Sequence, residues 1–326
     1  MESNLREWSS EMRQRFDRQG WRGLLYVVFT IYLMFWYAVT SRFEPGENIY
    51  ENEWDLLIVL DACRVDTLKE VASEYDFIGE VETKWSVGSQ SDEWMAKTFT
   101  SKWQSEISRT RYITGNGHTK LIFGDRDFPP QNNTTPFDFS RWDIVTRDTF
   151  YELDEVWEKN HDPQYGVVLP HSVTDRAIVA GRTGGHDRML LHYMQPHLPY
   201  IGNAIKDGRD PNEVEKHGYE LLRTGDASRD IVIELYRETL RYVLDSVEVL
   251  LENTDAERVV ITADHGEAFG EGAAYGHPEG FPHPIVKRVP WVETTASDSK
   301  SYKPDIEDVH TESIAVEDHL KDLGYM

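Results

Sequence analysis

Cysteine is almost absent. The chain has 326 residues and one cysteine, Cys63, so an intrachain disulfide and a CxxC metal or redox motif are both excluded. Positive charge is also scarce: 34 Lys and Arg stand against 58 Asp and Glu, a net charge of -24. That deficit excludes nucleic acid as a partner, because phosphate would be repelled. It also argues against simple electrostatic attachment to anionic lipid. Repeats and low-complexity tracts are missing, as is a G-x-G-x-x-G fingerprint, so neither a solenoid nor a Rossmann-type nucleotide site is expected. Acids are spread through nearly every segment rather than gathered in a tail. This is similar to the way halophilic proteins hold water, and it makes the net charge a statement about solvent rather than substrate.

Long apolar runs are rare too. The one that is present, "LLYVVFTIYLMFWYAVTS" at 24–41, is eighteen residues without a charge, flanked by Arg22 and Arg42. It lies at the lower edge of what crosses a hydrocarbon core of ~30 Å. Its Tyr, Phe and Trp favour interfaces. Two readings stand: a membrane anchor, or a helix packed on the domain or in a dimer seam. As a span, it would follow Arg13, Arg15, Arg18 and Arg22 and leave the following domain outside; otherwise a reducing cytosol fits. The domain plan is a helical segment over 1–43 and one catalytic domain over 44–326.

What remains is an α/β pattern. "DLLIVL" (55–60) and "RVVITA" (258–263) are continuous apolar runs, the mark of parallel strands buried on both faces. Further strands are expected within 76–85, at 111–114, 188–194 and 288–293. Helices are expected at 65–75, at 91–103 with Ser91 as N-cap, and at 229–254. In the last, Leu240, Val243, Leu244, Val247 and Leu251 fall on one face. Residues 121–140 read as a loop, and its "NNTT" contains glycosylation acceptors if the domain is exported. Residues 202–227 read as polar surface. Strands alternating with helices predict a mostly parallel sheet sandwiched by helices.

In such a sheet, ligands bind where the strands end. Five predicted strands end in polar residues: Asp61-Ala62-Cys63-Arg64, the Ser86–Ser91 segment, Asn116 and His118, His197, and Asp264-His265. A converged polar site follows. Asp61, Asp264 and His265 are oxygen and nitrogen donors suited to a divalent cation. A hydroxyl at the start of the 91–103 helix would sit where backbone N–H groups favour negative charge. Arg64, His118, His197 and His277 would hold an anion's oxygens or protonate a leaving group. The chemistry predicted is attack on phosphorus or sulfur through a covalent serine intermediate. Cys63 reads as a small buried residue, Arg64 equally as a partner for Asp66, His192 as a core histidine, His283 as a loop residue, and His161, His171, His186 and His217 as surface.

These segments together resemble the sulfatase/alkaline phosphatase superfamily, which includes sulfatase-like hydrolases and phosphoglycerol-type transferases. The resemblance spans roughly residues 53–293. "WDLLIVLDACRVD" is similar to the first metal strand, with Asp61 as ligand. "VVITADHGEAFGE" followed by "YGH" is similar to the DHGE…GH signature; it implies metal binding by Asp264 and His265 and a metal or substrate role for His277. "LHYMQPHLPY" resembles the PH-x-P segment, which implies substrate contact by His197; "YITGNGH" is a looser match that implies Asn116 and His118. The resemblance implies an alkaline-phosphatase-like fold and a phosphate or sulfate ester as partner, whether small molecule, glycan or lipid-linked.

The sequence departs from the pattern at two points. No C-x-P-x-R motif precedes the helix, which argues against a formylglycine sulfatase. The family's distance to a Thr nine residues on, here Thr98, favours Ser89 as nucleophile; Ser91 is the rival. Ala62 replaces the second acid after Asp61, which favours one divalent cation over two, with Ca, Mn, Mg and Zn all open. The expected function is a metal-dependent ester hydrolase using serine. The alternatives are a phosphoglycerol-type transferase on a lipid or surface glycan, or a catalytically idle relative that binds an anion.

Overall fold

A computed structural model describes residues 21–40, 42, 43, 45–125 and 142–306, with Ser10 and Arg13 placed individually. The glycosylation acceptors at 132–135 and Arg15 and Arg18 lie outside the described residues.

The centre is a seven-stranded sheet. Its strands are β1 (Leu56–Leu60), β2 (Glu82–Trp85), β3 (Thr110–Thr114), β4 (Glu152–Glu155), β5 (Arg188–Tyr193), β6 (Ala256–Thr262) and β7 (Arg288–Ala296). They lie in the order β2-β7-β6-β1-β5-β3-β4. Strand β1 pairs in parallel with β5 and β6, and β3 in parallel with β4 and β5. Only β7 runs the other way, antiparallel to both β6 and β2. The fold is therefore α/β with a mostly parallel sheet between helices.

Alternation along β1 explains why both faces are covered. Leu56, Ile58 and Leu60 enter one buried cluster, with residues of α2 (Val65–Val71), α4 (Pro170–Thr183) and α7 (Arg229–Leu251). Leu57 and Val59 enter the other, against Trp94, Met95 and Phe99 of α3 (Ser91–Thr98) and its end. Burying a strand on both faces leaves no polar position along it, which is why β1 reads as an unbroken apolar run. The predicted stripe on α7 is buried as a unit: Leu240, Val243, Leu244, Val247 and Leu251 all lie in the first cluster.

Several expectations are corrected. Ser91 is not the N-cap of α3. Gln90 takes that place in extended backbone, and Ser91 is the first helical residue. The helix ends at Thr98 because Phe99 leaves helical backbone (φ -101, ψ 66). Residues 202–227 are not only polar surface; they hold α5 (Gly202–Asp207) and α6 (Glu213–Thr224), the latter opened by an Asn212/Glu215 capping box. Helix α4 escaped the sequence reading, although Pro170 at its first turn is a start signal. His161 is buried rather than on the surface. The apolar run at 24–41 forms α1 (Trp21–Thr40), whose Phe29 and Leu33 pack on the domain. Among the described residues, no helix is long and apolar enough to cross a membrane.

Candidate active site

Parallel strands share one direction, so the residues that follow them meet at one edge. Asp61 follows β1, Asn116 and His118 follow β3, His197 follows β5, and Asp264 and His265 follow β6. Strand β2 delivers the Ser86–Ser91 segment to the same edge. Antiparallel β7 starts there, so the segment before it brings in His277 and Lys287.

The innermost group is closed off from the surface. Asp61, Ser91, His192, Asp264 and His265 are all fully buried. Ligand atoms of Asp61, His192 and Asp264 lie within 4.8 Å of one another. His265 Nε2 is 3.6 Å from Asp61 Oδ1 and 3.5 Å from Asp264 Oδ2. The Ser91 hydroxyl donates to Asp264 Oδ2 at 2.7 Å and lies 3.3 Å from Asp61 Oδ2 and 3.4 Å from His265 Nε2.

Backbone and neighbouring side chains hold these atoms in place. Ala62 adopts a left-handed conformation (φ 60) and donates its N–H to Asp264 Oδ1 at 3.1 Å. Tyr236 pins the same turn, donating to Ala62 O and accepting from Arg64 N, each at 2.8 Å. Asn116 Nδ2 donates to Asp61 Oδ2 at 3.0 Å. Burial opposes ionisation of Asp264, yet His265, His192 and the Ser91 hydroxyl hold its carboxyl well below the usual range. Burial pushes His265 down to about 4, so its imidazole is neutral near pH 7.

This donor set fits a divalent cation. Two carboxylates and an imidazole suit borderline and hard metals alike. His265 Nδ1 meets Gly266 O at 2.9 Å, which fixes the tautomer with its proton on Nδ1 and presents the Nε2 lone pair to the carboxylates. The residues that could hold a cation are Asp61 and Asp264 with His265, and His192 lies within reach of the same two carboxylates.

Beside them stands a second group. The His277 ring is 4.4 Å from His265 and 5.0 Å from His197, centroid to centroid. His197 Nδ1 meets Leu198 O at 2.7 Å, which turns Nε2 outward from the backbone. Burial, with His277 adjacent, pushes His197 down to about 3, and burial pushes His277 down to about 4. Glu267 faces His277 Nδ1 at 3.3 Å and accepts from Tyr219; burial pushes its carboxyl up to about 7. One ligand atom from each of His197, Glu267 and His277 lies within 4.8 Å of the others. The sequence reading missed Glu267 and Tyr219. The DHGE motif contained the first, but no local signal marked Tyr219 on α6.

The two serines separate clearly. Ser89 has other partners than Asp61 and Asp264: its N–H and hydroxyl both donate to Glu93 Oε2 at 2.7 Å, and the hydroxyl lies 3.2 Å from Pro278 O. Glu93 pairs with Lys97 one helical turn on, and both are buried. Lys97 Nζ also donates to Val87 O (3.2 Å) and Lys287 Nζ to Gly88 O (3.0 Å). A Cβ at Gly88 would come within 2.4 Å of Trp94 N, so only glycine lets this turn close on α3. The network thus clamps residues 87–89 and presents Ser91 at the start of the helix.

Arg64 is buried and engaged by Asp66 (Nε–Oδ1 2.8 Å), Glu271 (3.0 Å) and Glu267 O (3.1 Å). His118 is buried, and its backbone N–H donates to Asn116 Oδ1 at 3.0 Å. His192 is buried, as expected of a core residue. Yet Tyr112 meets its Nδ1 at 3.0 Å and its Nε2 lies 3.4 Å from Asp264 Oδ2, so it forms the floor of the site.

No family model matches the chain, and no curated protein does. Solved structures do resemble it. One is the soluble domain of lipooligosaccharide phosphoethanolamine transferase A from Neisseria meningitidis: 15% identity, TM-score 0.49, covering 75% of this chain and 77% of that one. Another is the lipoteichoic acid synthase LtaP from Listeria monocytogenes: 10% identity, TM-score 0.40, covering 79% and 71%. A third is a protein in the alkaline phosphatase superfamily from Vibrio parahaemolyticus: 14% identity, TM-score 0.39, covering 82% and 69%.

Proposed function

We propose that the chain is a metal-dependent enzyme that cleaves or transfers a phosphate or sulfate ester, with Ser91 as nucleophile. One observation carries the reading. The Ser91 Oγ, on the first residue of α3, lies within 3.4 Å of Asp264, Asp61 and His265, in a site where all four are buried. A hydroxyl placed on the donors for a cation, and at a helix N-terminus, is arranged to become an alkoxide. Ser89, with its hydroxyl on Glu93, serves to set the turn.

A divalent cation, where one is held by Asp61, Asp264 and His265, would supply Lewis acidity. The chain's own groups do the rest. Ser91 Oγ forms a bond to phosphorus or sulfur as the ester bond breaks; the hydroxyl gives up its proton along its bond to Asp264 Oδ2, and the leaving alkoxide takes up one proton in exchange, so none is gained or lost overall. His197 and His277 line the side where the anion's other oxygens and the leaving group would lie. Arg64, tied to two carboxylates, orders the turn after Asp61, and His118 is grouped with Asn116 behind Asp61. Water or an acceptor hydroxyl then takes the group and restores Ser91.

The test combines metal analysis with turnover of aryl phosphate mono- and diesters and an aryl sulfate, on wild type, Ser91→Ala and Ser89→Ala, at low and molar salt. The reading requires bound metal, turnover in wild type and its loss in Ser91→Ala. Metal without turnover of any ester in any salt would instead support an idle anion-binding relative.

A further inference from the structure

The inner face of α1 is a built interface. Phe29 and Leu33 pack on Ala268, Ala274, Phe281 and Val286, and the Phe29 and Phe281 rings meet at 6.1 Å. Tyr37 is fully buried. A Cβ at Gly280 would come within 2.6 Å of Tyr37 Cα, so the absence of a side chain there lets the helix seat.

The outer face has no such cover. Leu24, Val28, Ile31, Tyr32 and Phe35 are 44–61% exposed and repeat at helical spacing. Phe43 and Trp85 extend the patch around an apolar cavity of about 150 Å³ that Trp36, Val39 and Pro45 also line. Among the described residues, these seven are most of the ten large apolar side chains that are exposed. A patch of that kind marks an interaction site.

Three features select the occupant. First, no Asp or Glu occurs from Arg18 to Phe43, in a chain with 58 of them. Second, the rim is cationic: exposed Arg42 stands at the end of α1, and Arg288 stacks over Trp85 at 5.7 Å. Third, exposed Tyr32 meets the ring of half-buried Trp36 at 6.4 Å, and such side chains settle where apolar and wet regions meet. We infer that the outer face of α1, with Phe43 and Trp85, docks onto a lipid bilayer, the helix lying in the plane of the interface. The inner face is already committed to the domain, so the helix lies on the bilayer and does not cross it. This places the segment carrying His277, which α1 packs against at Phe281, next to the lipid surface. The inference goes beyond the proposed chemistry and stands without it.

The test is flotation of the full chain with vesicles of phosphatidylcholine alone, and of phosphatidylcholine with a minority of phosphatidylglycerol, at low and molar salt. Wild type is expected to float with vesicles and to remain bound in molar salt, because the apolar face carries the binding and salt screens only charges. The triple variant Val28→Glu/Ile31→Glu/Phe35→Glu is expected to lose vesicle binding by about tenfold or more. Ile231→Glu, an exposed apolar side chain elsewhere, is the control and still floats. Since all these side chains are exposed, thermal melts of the variants should match wild type. The inference is overturned if wild type stays in the dense fraction with both vesicles, or if the triple variant floats as wild type does. It is also overturned if wild type binds no vesicle and forms a dimer that the triple variant dissociates, for then a second copy covers the face. Turnover of a soluble aryl ester, followed in parallel, reports on the catalytic reading alone and should be equal in wild type and the triple variant.

Discussion

Ser91 donates its hydroxyl proton to Asp264 Oδ2 at 2.7 Å, across 173 residues of sequence. The bond joins the start of a helix to a residue two positions beyond the end of β6, the neighbour of β1. It is the contact that separates Ser91 from Ser89, two residues earlier and turned instead onto Glu93.

The first prediction follows directly. Ser91→Ala removes the hydroxyl placed to attack and should lower kcat by about a thousandfold or more. Ser89→Ala leaves that hydroxyl but loosens the turn, and should lower kcat within about tenfold while costing about 1 kcal/mol of stability. Steady-state kinetics and urea melts on the two variants distinguish the roles. Equal loss in both would return the nucleophile question to the loop as a whole.

The cation should be bound by Asp61, Asp264 and His265 and removable by chelation. At a free concentration of about a hundred times Kd, a ligand specific to the folded state stabilises it by about 2.7 kcal/mol. Chelation should therefore lower Tm, and back-titration should restore it. Asp264→Asn should abolish that response. A Tm unmoved by chelator in protein shown to contain metal would place the ion elsewhere.

Lys97 and Glu93 form a buried pair under the turn at residues 87–89. Lys97→Met leaves the Glu93 charge in the interior with less compensation and should cost about 3–5 kcal/mol. The double variant Glu93→Gln/Lys97→Met should recover part of that loss. Chemical denaturation of the three proteins measures the coupling directly.

The same glutamate gives a pH dependence. Burial works against its charge, yet Lys97 and Lys287 hold Glu93 down to about 2, below its ordinary 4.5. A depressed carboxyl contributes stability that is present above 4.5 and lost as pH falls toward 2. The whole contribution is about 3 kcal/mol, because each tenfold change in proton affinity is worth about 1.4 kcal/mol. Glu93→Gln should flatten the acid limb of stability against pH; an unchanged limb would mean that other carboxyls set it.

The net charge of -24 predicts a salt effect. Acids distributed over the surface repel one another, and salt screens that repulsion. Tm should rise from low to molar KCl, by more than for a neutral protein of equal size. A flat or falling curve would remove the likeness to halophilic proteins.

Sequence by itself determined the layers and the edge. The apolar run of β1, and the Val259–Ile261 run of β6, read as strand buried on both faces, because no polar residue interrupts them. Parallel neighbours must then end on the same side, so Asp61, Asp264 and His265 were bound to lie near one rim. Helix α7 was legible from its single apolar stripe. Only the tertiary structure decided which groups face inward. Ser89 and Ser91 differ by one small rotation of the chain at a helix start, and local pattern carries no record of it. His192 looked like any core histidine, since its role depends on carboxylates that arrive from β1 and β6. Glu267 and Tyr219 meet through a bond between α6 and a distant loop. Local periodicity records which residues are buried, whereas the partner of a buried polar atom is set by long-range packing, and packing exists only once the chain has folded.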